Sequence, residues 1–322
     1  VRFVHSVVDA LNFAIRAARA DTERHRVVTF EGTWHSRVTA AEEGLQATGH
    51  RTDHRQRGPG FVLPIGDTAA VERVFADHGG DVAAVVVEPY LPECALDRPS
   101  DEFLAGLRSV CDAHNALLVY DETVSGLRVA PTGPAGGAPV YPDFTLLGPI
   151  IGGGLPLAAC AGRKDAFQGL SSGEGARSGS PDDERSSESV LALAAGIATL
   201  QAIAEDGFYD QLESQSLRLD QGLRLASATA GAAVRHWRVG SVLGIQFENE
   251  GETTDGAEPV GISNNGAHPA ERFVRFHQAM LDRGVLLAPS PAGRVFVSAA
   301  HTDGDLDRAV EAAHASLQTI AG

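Results

Sequence analysis

Val119-Tyr120-Asp121-Glu122-Thr123-Val124-Ser125-Gly126-Leu127-Arg128 is an apolar run that ends in two adjacent carboxylates. A short, nearly continuous apolar run is what a strand covered on both faces looks like, and in open α/β sheets ligands gather at the carboxyl ends of such strands. Asp121 is therefore a candidate site residue; the other reading, a strand-end acid that caps a turn, stays open at this point. About 25 residues on, Thr145-Leu146-Leu147-Gly148-Pro149-Ile150-Ile151-Gly152-Gly153-Gly154-Leu155-Pro156 sets three consecutive glycines after a second apolar strand. Such a run permits positive φ and close backbone approach, which suits a tight turn beside a ligand.

The flanking chain alternates strands with helices. Val27-Val28-Thr29-Phe30, Val82 to Val87 and Ala116 to Tyr120 read as buried strands, whereas Asp9 to Ala20, Thr68 to Asp77 and Ser100 to His114 carry apolar residues at helical spacing. This alternation predicts an α/β class with a mostly parallel sheet. Two helical segments follow from Val190 to about Thr229, interrupted near Asp206-Gly207, and lead to a smaller α+β region. Its strands are expected near Ala233 to Trp237, Val242 to Phe247 and Val295 to Ser298, and its helices near Pro269 to Arg283 and Asp303 to Ile320. Gln46 to Gly60, Gly169 to Ser189 and Asn249 to Ala267 are rich in Gly, Ser and charge, and read as loops.

Composition narrows the function classes. The formal charge is −16, and the 26 basic residues are scattered, which argues against a nucleic-acid groove and against a polybasic membrane patch. Cys94, Cys111 and Cys160 lack metal-site or disulfide spacing, so buried thiols in a reducing cytoplasm are expected, with no metal centre. No apolar run approaches the roughly 20 residues that span a bilayer. Lysine occurs once, at Lys164, so every lysine-dependent mechanism must use that residue or fail.

Asp121-Glu122-Thr123-x-x-Gly126-x-Arg128 followed by Gly148-Pro149-Ile150-Ile151-Gly152-Gly153-Gly154-x-Pro156 resembles the class III aminotransferases of the glutamate-1-semialdehyde aminomutase type. That family carries Asp-Glu-Val-x-x-Gly-x-Arg and Gly-Lys-x-Ile-Gly-Gly-Gly-x-Pro in the same order. Phe30-Glu31-Gly32-Thr33-Trp34-His35 is similar to its Phe-Glu-Gly-x-Tyr-His-Gly, and Val86-Val87-Glu88-Pro89 to its Val-Glu-Pro strand end. Val1 to Ser6 with the helix after it resembles the segment around its Ser-Gly-Thr-Glu-Ala phosphate loop. Arg283-Gly284-Val285, Ala288-Pro289-Ser290, Phe296-Val297-Ser298 and His301-Thr302 resemble its C-terminal domain. The resemblance implies an aminotransferase fold of type I: a mostly parallel central sheet in a large domain, residues 1–205, and a smaller α+β domain, residues 206–322. It also implies a segment ahead of Val1, and its absence here is expected to leave the small domain short.

Residue by residue, the resemblance implies Asp121 as the carboxylate that keeps a pyridine nitrogen protonated, Trp34 over one face of the ring, Thr123 beneath the other, and Ser6 at the phosphate. His35, beside Trp34, is the acid–base candidate, on the expectation that it titrates near neutrality. The departures carry as much information. Pro149 stands where the family has its lysine, and proline has no amine with which to hold the cofactor covalently or to move a proton. Val7-Val8 stands where the family has Gly-Thr, and a β-branched pair resists the conformation that wraps a phosphate. The neighbouring subunit's Gly-Thr has no clean match between Ala176 and Ser189.

These features predict an aminotransferase or aminomutase homologue without Schiff-base chemistry, which acts on a small molecule through altered acid–base groups. The competing readings are an inactive pseudoenzyme that partners an intact homologue, and a protein that binds pyridoxamine phosphate without a covalent link. No covalently bound cofactor is expected, and pyridoxal or pyridoxamine phosphate would have to be held by contacts alone. The expected partners are a small-molecule ligand and a second subunit, in a homodimer or a heterodimer with a paralogue. Neither nucleic acid nor membrane is expected, and the setting is cytoplasmic.

Overall fold

The computed structural model describes residues 1–37, 60–90, 99–131, 140–167, 189–248, 267–291 and 293–321. The chain divides into two units, the first ending at Ala202 and the second running from Ile203, with Arg128–Pro131 belonging to the second. The three stretches expected as loops lie, but for their last residues, outside the described residues, as does the expected position of the second phosphate contact.

In the first unit the buried runs become strands. They are β1 (Arg2–Val4), β2 (Arg26–Phe30), β3 (Phe61–Leu63), β4 (Val82–Val87), β5 (Leu117–Glu122), β6 (Phe144–Leu147) and β7 (Ala158–Gly162). Between them lie α1 (Val7–Thr22), α2 (Thr68–His78) and α3 (Asp101–His114), and α4 (Val190–Ile203) follows β7. The sheet order is β1-β7-β6-β5-β4-β2-β3. Strands β3, β2, β4, β5 and β6 are parallel; β7 runs antiparallel to β6, and β1 antiparallel to β7. Strand β3 carried no signal in the sequence, because three residues are too few to show a period.

The strand period of two decides the core. Ala84, Val86, Leu117 and Val119 face α1 in one apolar cluster, and Val85, Val87, Leu118 and Tyr120 face α2 and α3 in another. All six residues of β4 are buried, hence its unbroken apolar sequence. Each of its four buried valines contributes about 1.5–3 kcal/mol relative to exposure. Side-chain oxygens cap the helix N-termini. Asp67 accepts from Ala70 N at 2.8 Å, and Ser100 accepts from Phe103 N at 3.1 Å. One guanidinium nitrogen of Arg24 donates to the carbonyls of Gly79, Val82 and His114, at 3.1, 3.2 and 2.6 Å, and so ties three chain ends at the amino side of the sheet.

The second unit holds α5 (Phe208–Ala230), β8 (Val234–Val239), β9 (Val242–Phe247), α6 (Ala267–Asp282), β10 (Arg294–Phe296) and α7 (Asp303–Ala321). Its antiparallel sheet, ordered β10-β9-β8, packs with Leu219, Phe273, Phe276, Met280 and Leu317 in a core of its own. Among the described residues no single helix is long and apolar enough to cross a membrane.

Candidate functional site

Strand register brings the candidate residues to one end of the first unit's sheet. Asp121 pairs with Leu146 and Glu122 with Leu147, so β5 and β6 finish together, and Gly148 and Pro149 follow at that end. Val87 pairs with Tyr120, which sets Glu88 beside the same end, and β2 delivers Trp34 and His35 there as well. Because β7 reverses direction, Leu147 pairs with Ala159 and Val4 with Ala158, and the N-terminus of α1 lies at this end too. This is the carboxyl edge of the parallel strands, where open α/β sheets bind ligands.

Asp121 is the centre of the arrangement and is 2% exposed. Its Oδ1 accepts the backbone N–H of Thr123 at 2.9 Å, and its Oδ2 accepts the indole N–H of Trp34 at 2.7 Å. Together the two donors fix the orientation of the buried carboxyl group. Thr123, 5% exposed, sits directly against the glycine turn. A Cβ on Gly148 would lie 2.0 Å from the Thr123 carbonyl oxygen, so only glycine lets the β6 end approach this closely. The Gly-rich turn behaves as its sequence suggests: Pro149–Gly152 forms a 3-10 turn, and Gly153 and Gly154 take φ of 59° and 93°.

His35 is fully buried, and the structure corrects the expectation that it titrates near neutrality. Burial, and secondarily the charge of Arg37, push its pKa down to about 3. Its Nδ1 lies 3.4 Å from Thr33 Oγ1, whose own proton is donated to the Phe30 carbonyl at 2.7 Å, so at this contact the histidine is the donor. Its Nε2 is 3.9 Å from Glu88 Oε1, beyond hydrogen-bond range. An imidazole this hard to protonate is a poor proton acceptor at neutral pH.

His35, Glu88 and Asp121 present potential ligand atoms within 4.8 Å of one another, a set that the spacing in the sequence does not reveal. Each Asp121 oxygen there already accepts one N–H donor.

A pyridoxal-phosphate group fits this end of the sheet in one part and fails in two. The ring end fits: a buried carboxylate is framed by N–H donors beside an aromatic side chain. The attachment point fails, since Pro149 ends the β6 turn. Lys164 does not replace it. The exposed Lys164 follows Gly162, which pairs with Phe144 at the start of β6. The sites of Lys164 and Pro149 are thus separated by the length of β6, roughly 10 Å before either turn is added. The phosphate end fails as well. Ser6 closes the first turn of α1 on itself, donating to Asp9 Oδ2 at 2.7 Å and accepting from Asp9 N at 3.2 Å. Val7 and Val8 are already helical, and the Asp9 charge occupies the first turn, where an anion would seek the helix dipole.

Comparison with known proteins agrees with this geometry. The family model for class-III aminotransferases matches residues 1–317. The glutamate-1-semialdehyde 2,1-aminomutase of Desulforudis audaxviator (strain MP104C) is 39% identical over 97% of this chain and 72% of its own length. That of Bordetella avium (strain 197N) is 37% identical over 99% and 74%. Among solved structures, an omega-transaminase from Sphaerobacter thermophilus superposes with a TM-score of 0.80 at 24% identity, over 100% of this chain and 74% of that one. A lysine-to-alanine variant of a glutamate-1-semialdehyde aminomutase from Pseudomonas aeruginosa PAO1, in complex with PMP, gives 0.74 at 23% identity, over 98% and 71%. The chain belongs to the class-III aminotransferase family.

Proposed function

We propose that this family member does not perform Schiff-base transamination and instead holds a flat ring-nitrogen ligand, of the pyridoxal or pyridoxamine phosphate class, without a covalent link. The observation that carries this reading is Asp121: a buried carboxyl group at a strand end, framed by two N–H donors, one of them the indole of Trp34. Such a group bonds a ring N–H strongly, because the site around it is buried. The cofactor, when bound, would supply an electron sink; this chain's residues would supply only its ring contacts. Pro149 in place of lysine supports the absence of a covalent step. A neighbour of this fold, the lysine-to-alanine variant of an aminomutase, is solved in complex with PMP, which supports this reading. Acid–base catalysis by His35 loses support from its burial.

A second reading, a subunit that partners itself or a paralogue, draws on α4. Val190, Leu191 and Ile197 of this uniformly apolar helix are 80%, 69% and 59% exposed, a surface suited to cover by another chain. A cytoplasmic setting goes with either reading and rests on the acidic composition and the free buried thiols Cys111 and Cys160.

Titration with pyridoxamine phosphate and with pyridoxal phosphate, followed by tryptophan quenching and absorbance, tests the first reading. Saturable quenching that disappears in Asp121→Asn is the expected result. A borohydride-trapped adduct on Lys164 would refute it, as would the absence of binding by either form.

A further inference from the structure

Alternation along β8 sends its side chains to two faces of the second unit's sheet. His236 bonds Ser227 and Arg238 bonds Glu213, both on α5, so Arg235 and Trp237 lie on the face turned away from that helix. Register carries this outer face across the sheet: Trp237 pairs with Gly244 and Gly244 with Arg294, while Phe296 follows two residues on along β10. We propose that this outer face is a binding platform for a flat aromatic ring that bears an anionic group, with Trp237 as the stacking surface and Arg294 as the anion contact. Every residue of the platform belongs to the second unit, so it is a site distinct from the one at Asp121.

The indole of Trp237 lies across Gly244. A Cβ at that glycine would fall 2.0 Å from Nε1 and 2.1 Å from Cε2, so only glycine seats the ring against the strand. With one face on the backbone, the indole turns the other outward, and Trp237 is half-buried. Cations gather on the same face. Arg235 and Arg294 belong to it, and none of the outward residues of β8, β9 and β10 is Asp or Glu. Arg128 adds a third guanidinium, 4.9 Å from the centroid of the Phe296 ring. Burial, and after it the charge of Arg294, lower the Arg128 pKa, which sets these two cations within each other's field. In a chain of formal charge −16, this face is a local reversal of sign. The spacing suits one ligand. Strands β8 and β10 flank β9 and are about 10 Å apart, so a ring stacked on the indole over β9 has Arg294 one strand away, within reach of its substituent. A guanidinium fork matches carboxylate and phosphate oxygens, and an aromatic ring stacks offset on an indole.

Calorimetric titration of the whole chain with AMP and with 2-naphthoate tests this, with adenosine as the ring-only control and inorganic phosphate as the anion-only control. Saturable binding of AMP or 2-naphthoate is expected, about tenfold or more tighter than either control, and the probe that binds tells a nucleotide site from an aromatic carboxylate site. Arg294→Gln keeps the indole seat and should weaken that binding roughly tenfold to a hundredfold, the worth of one charge-assisted hydrogen bond. A second measurement needs no variant to fold. The chain has two tryptophans, Trp34 and Trp237, and hence two indole N–H resonances, which Trp237→Leu assigns by removing one. The Trp237 resonance should move as the probe saturates the protein, while that of Trp34 stays fixed. Absence of binding by both probes, phosphate binding as tight as AMP, undiminished binding in Arg294→Gln, or a shift at Trp34 in place of Trp237 would each overturn the inference.

Discussion

Acidification should unfold the first unit through His35, and the size of the effect follows from its burial. In the folded chain the imidazole stays neutral down to about pH 3, because burial strips the solvent that would support its charge. In the unfolded chain it takes up a proton near its ordinary value of 6.5. Unfolding therefore consumes a proton anywhere between those limits. The stability that neutral burial confers is complete above pH 6.5, is lost as the pH falls, and reaches its floor at about 3. The slope is about 1.4 kcal/mol per pH unit, so a fall from about 6.5 to about 4.5 removes roughly 2–3 kcal/mol. Urea unfolding of the whole chain, followed by fluorescence at about pH 7 and about pH 4.5, should show a larger acid loss in the unaltered protein than in His35→Gln, which cannot titrate. Equal losses in the two proteins would refute burial of His35 as the cause.

Arg24→Ala removes the cation that gathers three carbonyls and should cost about 3 kcal/mol, readable in thermal denaturation with no change in ligand contacts. Gly148→Ala drives a methyl group into the Thr123 carbonyl; a loss of about 3 kcal/mol and weakened pyridoxamine phosphate binding are expected, and unaltered binding would detach this turn from the site. Burial pushes the thiols of Cys111 and Cys160 up to about 12, so a disulfide reagent at neutral pH should leave both unmodified until denaturant is added.

The strand end at Asp121 and Glu122 was legible from sequence because an apolar run that stops at carboxylates has a simple meaning in a parallel sheet. Pro149 and Val7-Val8 were equally plain, since a missing amine and a β-branched pair are properties of the residues themselves. Strand β3 was not legible, being too short to show a period, and neither was the contact that most shapes the site. Trp34 and Asp121 are 87 residues apart, and a tryptophan beside a histidine carries no mark of the carboxylate its indole will meet.

The amino-acid sequence alone determined the family and most of the strands and helices, because periodicity and motif order are local properties. Only the tertiary structure decided that β2, β4 and β5 end side by side and that the Trp34 N–H lands on Asp121. It likewise decided that His35 is too deeply buried to titrate near neutrality. These are consequences of register and burial, and both arise only when distant segments pack against one another.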